Sequence, residues 1–331
     1  MAENKTINKN IILILFILLT IISFFISVGN GAVKISPINI LKAIFCEKDT
    51  VNHQIIWNVR LPRTIVAGLV GICLSLSGAI LQGIMRNPLA SPNIIGVSSG
   101  AGLAAFIILI LLPEYYYMVP IGAFIGALLT TLVIYSLAWK EGITPTRLIL
   151  AGVAISSILR AGINALITFY PDRVAGVVGF MVGGLSATAW TEVKMIFPYA
   201  LIGVTSVLLI PNKLNILMLG DEIATGLGLK VESTRFIFII LASLLAGSAV
   251  SAVGLLGFVG LIVPHIARLL IGSDYRFLFP ASIFLGASVV ILCDTLARLL
   301  FAPMEIPVGI IMSALGGPFF LYLLRRKEGV R

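Results

Sequence analysis

The 331-residue chain is 59% hydrophobic and only 11% charged, with a formal net charge of +9. A soluble domain usually carries about 25% charged residues, so this composition excludes a water-facing globule and makes lipid the solvent over most of the length. The positive charge is not a nucleic-acid footprint, because the basic residues stand between apolar runs, where they set topology.

In chain order, Lys5 and Lys9 precede the charge-free stretch 11–28. It is longer than a signal-peptide core and further apolar runs follow, so it reads as an uncleaved first helix. Transmembrane helices need about 20 apolar residues. The next are expected at 64–85, 94–112, 115–139 and 148–170. The Gly-rich run 174–191, bounded by Pro171-Asp172-Arg173 and Trp190, fits a short or re-entrant helix better than a full span. A span at 195–211 leads into the one long polar segment, 212–235, which has room for two short helices but not for a catalytic domain.

From Phe236 to Ala267 there is no formal charge over 32 residues. As one helix this would be about 48 Å long, well beyond a hydrocarbon core of about 30 Å. It must break, and Gly254, Gly257, Gly260 and Pro264 are the candidate breaking residues. Spans are then expected at 236–256, 258–271, 277–297 and 306–324. The total of ten puts both termini on one side. With the termini in the cytoplasm, the inner segments hold fourteen Lys and Arg and the outer ones eight, with Arg160 inside a span. This bias favours cytoplasmic N- and C-termini.

Glycines fall within the spans. Gly122 with Gly126, and Gly68 with Gly71 and Gly78, are small-residue pairs that let helix backbones approach, within one chain or between subunits. Cys46, Cys73 and Cys293 are far apart and odd in number, which fits core thiols rather than a disulfide framework or metal spacing. His53 and His265 have no second histidine at helical spacing, so no metal site is expected, and His265 is read as a structural hydrogen-bonding residue. No G-x-x-x-x-G-K-[ST] loop is present, so ATP binding by this chain is not expected.

Several stretches resemble one family. They are RLPRTIVAGLVGICLSLSGAILQGIMRNPLASPNIIGVSSGAG (60–102), TPTRLILAGVAIS (144–156), LNILMLGDEIATGLGLKVESTR (214–235), GLLGFVGLIVPHIARLLIGSDYRFLFPASIFLGASVVILCDTLARLL (254–300) and EIPVGIIMSALGGPFFLYLLRR (305–326). Together they are similar to the FecCD/BtuC-type permeases, importer subunits for ferric siderophores, haem and cobalamin. The resemblance implies an all-α integral membrane protein of about ten transmembrane helices, a single polytopic domain over 1–331. It implies a type II ABC importer permease fold whose helices two to five and seven to ten form an inverted pseudo-repeat. The implied partners are a cytoplasmic ABC ATPase dimer carrying ATP and magnesium, a second permease copy or paralogue, an extracytoplasmic substrate-binding protein and membrane lipid. The chain itself would bind no cofactor and catalyse no reaction. Its location would be the inner or plasma membrane. An iron–siderophore is the expected cargo, with haem or cobalamin as the alternative.

The scarce polar residues sort accordingly. Arg60, Arg63 and Arg298 lie just outside spans. They are either snorkelling anchors or, as the resemblance implies, a docking surface for carboxylates of the binding protein. Asp294, four residues before Arg298, offers that arginine an intrahelical partner. RNPLASP (86–92) is a proline-shaped turn, and the resemblance makes Asn87 and Leu89, with Thr144 and Thr146, cytoplasmic gate residues. In the coupling loop, Gly220 and Gly228 would break two short helices. Asp221, Glu222, Ile223 and Leu227, with Leu229, would meet the ATPase. Arg160 in span five, with Ser156 and Asn164, either lines the path or snorkels to an interface.

Two other classes are disfavoured. An ion-coupled secondary transporter wants acidic residues within spans, and only Asp294 qualifies. An intramembrane enzyme wants clustered His, Asp or Glu, or a Ser/Lys pair, at membrane depth.

Overall fold

The computed structural model describes residues 8–328 apart from 32, 46–49, 94–95, 139–144, 175–176 and 187. Among them run ten apolar helices: α1 (Lys9–Gly29), α2 (Leu61–Ile84), α3 (Val97–Leu111), α4 (Val119–Ala138), α5 (Pro145–Phe169), α6 (Trp190–Leu209), α7 (Val231–Val253), α8 (Val259–Ile271), α9 (Tyr275–Leu299) and α10 (Val308–Glu328). Seven are long and apolar enough to cross a membrane, while α3, α8 and α10 are shorter as apolar stretches. All ten expected spans are present as helices.

Helix α2 is the centre of the bundle. Most of its side chains are buried, and it packs on α9, α7, α8, α6 and α1. Apolar side chains gain nothing by leaving lipid for protein, so close packing of backbones has to supply the attraction. Gly71 meets the backbone at Gly286 of α9, and Gly78 meets the Gly260 carbonyl of α8 so closely that a Cβ there would overlap it. Ser75 sits between these crossings and donates to the Ser282 carbonyl at 2.8 Å. The expected pair Gly122 and Gly126 also packs within the chain, against the Ile108 side chain and the Gly100 carbonyl.

The packing is pseudo-symmetric. α2 lies on α8 and α9 as α7 lies on α3 and α4, and the trios α3–α4–α5 and α8–α9–α10 each pack among themselves. Four helices lie between α2 and α7, so with each helix reversing direction the two halves run in opposite senses. This is the inverted repeat. The shortened helices α3 and α8 occupy equivalent places in the halves, the position where broken helices mark a transport site. Their entry turns also meet, since Asn93 Nδ2 donates to the Leu256 carbonyl at 3.3 Å.

The break in 236–267 falls at residues 254–258, where Gly254 and Phe258 take φ of +76° and +65°. Gly260 and Pro264, the other breaking residues considered, lie inside α8. Pro264 lacks an N–H, which leaves the Gly260 carbonyl without its helical donor. Buried Gln82 of α2 holds its amide nitrogen 3.4 Å from the carbonyls of both Gly260 and Leu261. Lipid could not supply that donor, so the proline is tolerated because α2 is alongside.

The run 174–191 is short and irregular, as expected. It holds the helix Val178–Val182, followed by a left-handed turn at Gly183. Its main chain ties the α7–α8 junction and the start of α10. Leu255 N–H donates to Phe180 O at 3.0 Å, Gly184 N–H to Val253 O at 3.1 Å and Gly309 N–H to Gly183 O at 3.0 Å.

Replacing Gly78 by valine should lower stability by about 1–3 kcal/mol through overpacking. Gly179→Val is the control, because nothing stands within 4 Å of a Cβ there. Thermal unfolding of the two solubilised variants measures the difference.

Candidate functional site

The few charged side chains gather at the two ends of the bundle. At one end, residues 28–31 and 33 meet the start of α2, the end of α9 and the α9–α10 connection. Thr50 caps the helix Val51–Ile55, which continues through a π-helical turn, Ile56–Arg60, directly into α2. That continuity turns Arg60 and Arg63 inward, and both are less than a tenth exposed.

Arg63 grips Asp294 of α9 with two nitrogens, Nε to Oδ2 at 3.0 Å and Nη2 to Oδ1 at 2.9 Å. Its Nη1 donates to Glu305 at 2.7 Å. Arg298 completes the knot through Asp294, 3.2 Å away at i,i+4, and donates to the Ser27 hydroxyl and to the carbonyls of Ser27 and Asn30. Among the described residues, Arg60 meets only main chain, the carbonyls of Val28 at 2.8 Å and Val33 at 2.5 Å. All three arginines and Glu305 line a pocket of about 270 Å³ with Gly31, Val33, Ile55 and Val59. None of the three guanidinium groups snorkels to an open surface. Trp57, Trp190 and the exposed Tyr115, Tyr116 and Tyr117 stand on the connections at this end, as an interfacial aromatic belt requires.

The opposite end carries the polar loop. It folds as two short helices, Pro211–Leu217 and Asp221–Gly226, punctuated by Gly220 at φ +111° and Gly228 at φ +81°. Two anchors hold it. Asn215 donates to Asp274 at 2.8 Å and accepts from Tyr275 N–H at 2.9 Å. Hydrogen bonds from the Arg276 side chain hold the Asp274 carboxyl well below the usual carboxylate range. Asp221 accepts both of its oxygens' bonds from Arg235 Nη2 of α7, at 2.7 and 2.9 Å. Arg86 reaches the same carboxylate at 3.5 Å from the end of α2. Ile223 and Leu227 project outward, 55% and 61% exposed, whereas Leu229 packs into the core. Beneath the loop lies a cavity of about 610 Å³ that touches Arg86, Tyr135, Asp221 and Arg235.

Of the expected gate residues, Asn87 folds its side chain back to accept from Leu89 N–H at 3.0 Å, and Arg86 before it takes φ +47°. Thr144 and the side chain of Thr146 lie outside the described residues. On α5, Ser157, Arg160, Asn164 and Thr168 form an exposed polar stripe at three- and four-residue spacing. Ser156 is buried against Gly96. His265 rests edge-on against Phe319, and His53 Nδ1 lies 2.6 Å from the Ala43 carbonyl.

Sequence reasoning assigned no role to Glu305, Arg86, Arg235, Asn215 or Gln82. The signal available for the charged ones was scarcity itself, since a charge next to a span needs a partner.

The model of the FecCD transport family matches residues 19–326. The chain belongs to the FecCD transport family. It is 42% identical over 318 residues to the Fe(3+)-citrate import system permease protein YfmE of Bacillus subtilis, covering 95% of this chain and 94% of that one. It is 38% identical over 337 residues to the iron(3+)-hydroxamate import system permease protein FhuG of the same organism, covering 98% and 99%. The hemin transport system permease protein HmuU of Yersinia pestis is 40% identical over 290 residues, covering 83% and 85%. An inward-facing metal-chelate type ABC transporter superposes with a TM-score of 0.84 at 31% identity, over 96% of this chain and 99% of that one. This FecCD protein is therefore a multi-pass membrane permease of an ABC transporter.

Asp294 and Glu305 should differ in what they hold. Asp294 is 1% exposed and serves two arginines, while Glu305 is 43% exposed. Asp294→Asn should cost about 3–5 kcal/mol by leaving buried charge uncompensated, and Glu305→Gln about 1 kcal/mol or less. Thermal unfolding of the two variants in the same detergent tests the order.

Proposed function

We propose that this permease carries a ferric siderophore or a related metal chelate into the cytoplasm through a path it forms with a second permease, a copy or a paralogue. The observation that carries this reading is the α5 stripe. Arg160 is exposed on the outside of a membrane helix and has no hydrogen bond or ion pair among the described residues. A charge facing lipid is expensive, and such residues face water-filled cavities or partners. A second permease placed against α5 would enclose the stripe in a wet path, with Asn164 beside Arg160. Cargo as large as a chelate needs width and weak polarity more than a tight site. The names of the relatives favour ferric citrate or a ferric hydroxamate, and the hemin permease keeps haem as the second reading.

The two charged ends then have distinct tasks. The pocket of Arg60, Arg63 and Arg298 faces outward and takes a carboxylate of the extracytoplasmic binding protein. The loop end faces the cytoplasm, together with both termini. Ile223 and Leu227 seat in an ATPase dimer, which holds the ATP and magnesium. Glu222 and Gly228 lie on the same exposed segment. Asp221 ties that segment to α7 through Arg235 and to the gate turn of Asn87 and Leu89 through Arg86, so ATPase closure has a stiff route to the gate.

The test is uptake of radiolabelled ferric citrate, ferric hydroxamate and haem by proteoliposomes holding the permease with its ATPase. Uptake should require ATP and the binding protein. Asp221→Ala should reduce uptake roughly tenfold while ATP hydrolysis persists, because the contact is loosened rather than removed. Uptake driven by a proton gradient without the ATPase would contradict the proposal.

A further inference from the structure

We infer that Glu305 is an exchangeable counter-ion: it occupies Arg63 in the undocked permease and yields that arginine to a carboxylate of the incoming binding protein. This rests on the docking role proposed for the arginine pocket and adds the element that sets its affinity.

The two acids of the knot are not equivalent. Asp294 is buried, takes two nitrogens of Arg63 and also serves Arg298. Glu305 is much more open to solvent and holds a single nitrogen, Nη1. Asp294 can therefore keep the Arg63 guanidinium in place while Nη1 changes partner. The other pocket residues, Gly31, Val33, Ile55 and Val59, carry no charge. Among the described residues, three arginines stand against two carboxylates, a surplus of one positive charge that sits closest to Arg60, whose partners there are carbonyls. An entering carboxylate meets that surplus first, then competes with Glu305 for Nη1.

The exchange also has a mechanical consequence. Glu305 lies in the non-helical 305–307 segment that leads into α10. The start of α10 is hydrogen-bonded to the turn at Gly183, which is tied in turn to the α7–α8 break. Release of Glu305 frees the ion pair that, among the described residues, fastens this connection to α2.

The experiment measures association of the purified binding protein of the same system with the permease–ATPase complex in nanodiscs, at low salt and at about 0.5 M salt. Glu305→Gln should raise the association rate about fivefold at low salt, and the gain should shrink at high salt, where charge is screened. Glu305→Asp, which keeps the charge, should bind at a rate close to that of the unaltered protein. Arg60→Gln should slow association. If Arg60→Gln slows it but Glu305→Gln leaves it unchanged or slower, or if Glu305→Asp accelerates it equally, the counter-ion role is wrong and the docking pocket stands. If Arg60→Gln has no effect, the docking pocket itself is wrong and the counter-ion role falls with it.

Discussion

A backbone in lipid has no water to bond to, and the rest of this structure follows from how that demand is met where helices break. Continuous helices satisfy themselves. The entries of α3 and α8, the α7–α8 junction and the proline in α8 do not. Each is bonded from within the protein: Gln82 serves the Gly260 carbonyl that Pro264 strands, Asn93 serves Leu256, and the 178–184 segment serves Val253 and Leu255. α2 makes this possible. Its glycines bring it against α8 and α9 closely enough for a glutamine side chain to repair a neighbour's backbone. The broken region and the tightly packed core are thus one device, in which rigidity around α2 permits irregular backbone within the membrane.

Charge is placed with the same economy. Buried Arg63 and Arg235 each engage two acids and each bind one helix to a connection, Arg63 to the segment before α10 and Arg235 to the loop before α7. Each arginine shares its acid with a second arginine, Arg298 at one end and Arg86 at the other. Shared carboxylates can shift between partners at little cost, which suits the docking and coupling roles proposed for the two ends. The distance between the two clusters is bridged by α2 itself, since Arg63 stands at its start and Arg86 just beyond its end.

Hydrophobic runs and their breaks made the ten helices legible, while the inverted halves were implied by the family resemblance. A charge-free run too long for the membrane must break, and Gly254 was among the residues that could break it. That α8 would accept Pro264 was not legible, because the donor that rescues it comes from Gln82, some 180 positions away in the fold's interior. The outer arginines were found by their scarcity, but their burial was not foreseen. The π-helical turn Ile56–Arg60 rotates Arg60 and Arg63 into the bundle, and no local pattern announces it. The two short helices of the 212–235 loop were readable from Gly220 and Gly228, whereas the inward turn of Leu229 depends on packing against the core. Ser156 and Arg160 are four apart on one helix face, yet Ser156 is buried and Arg160 exposed, because the edge of the packed side of α5 runs between them.

The central claim is that the exposed stripe of α5 lines a water-filled path in the assembled transporter. Single cysteines at positions 157, 160, 164 and 168, in a protein with Cys46 replaced by serine, test it most directly by their reaction with a membrane-impermeant thiol reagent. Cys73 and Cys293 are buried and remain in place. The account predicts rapid labelling at these four positions and slow labelling at the exposed apolar positions 150 and 158. Equal, slow labelling at all six would place the stripe in lipid or in a dry contact and contradict it.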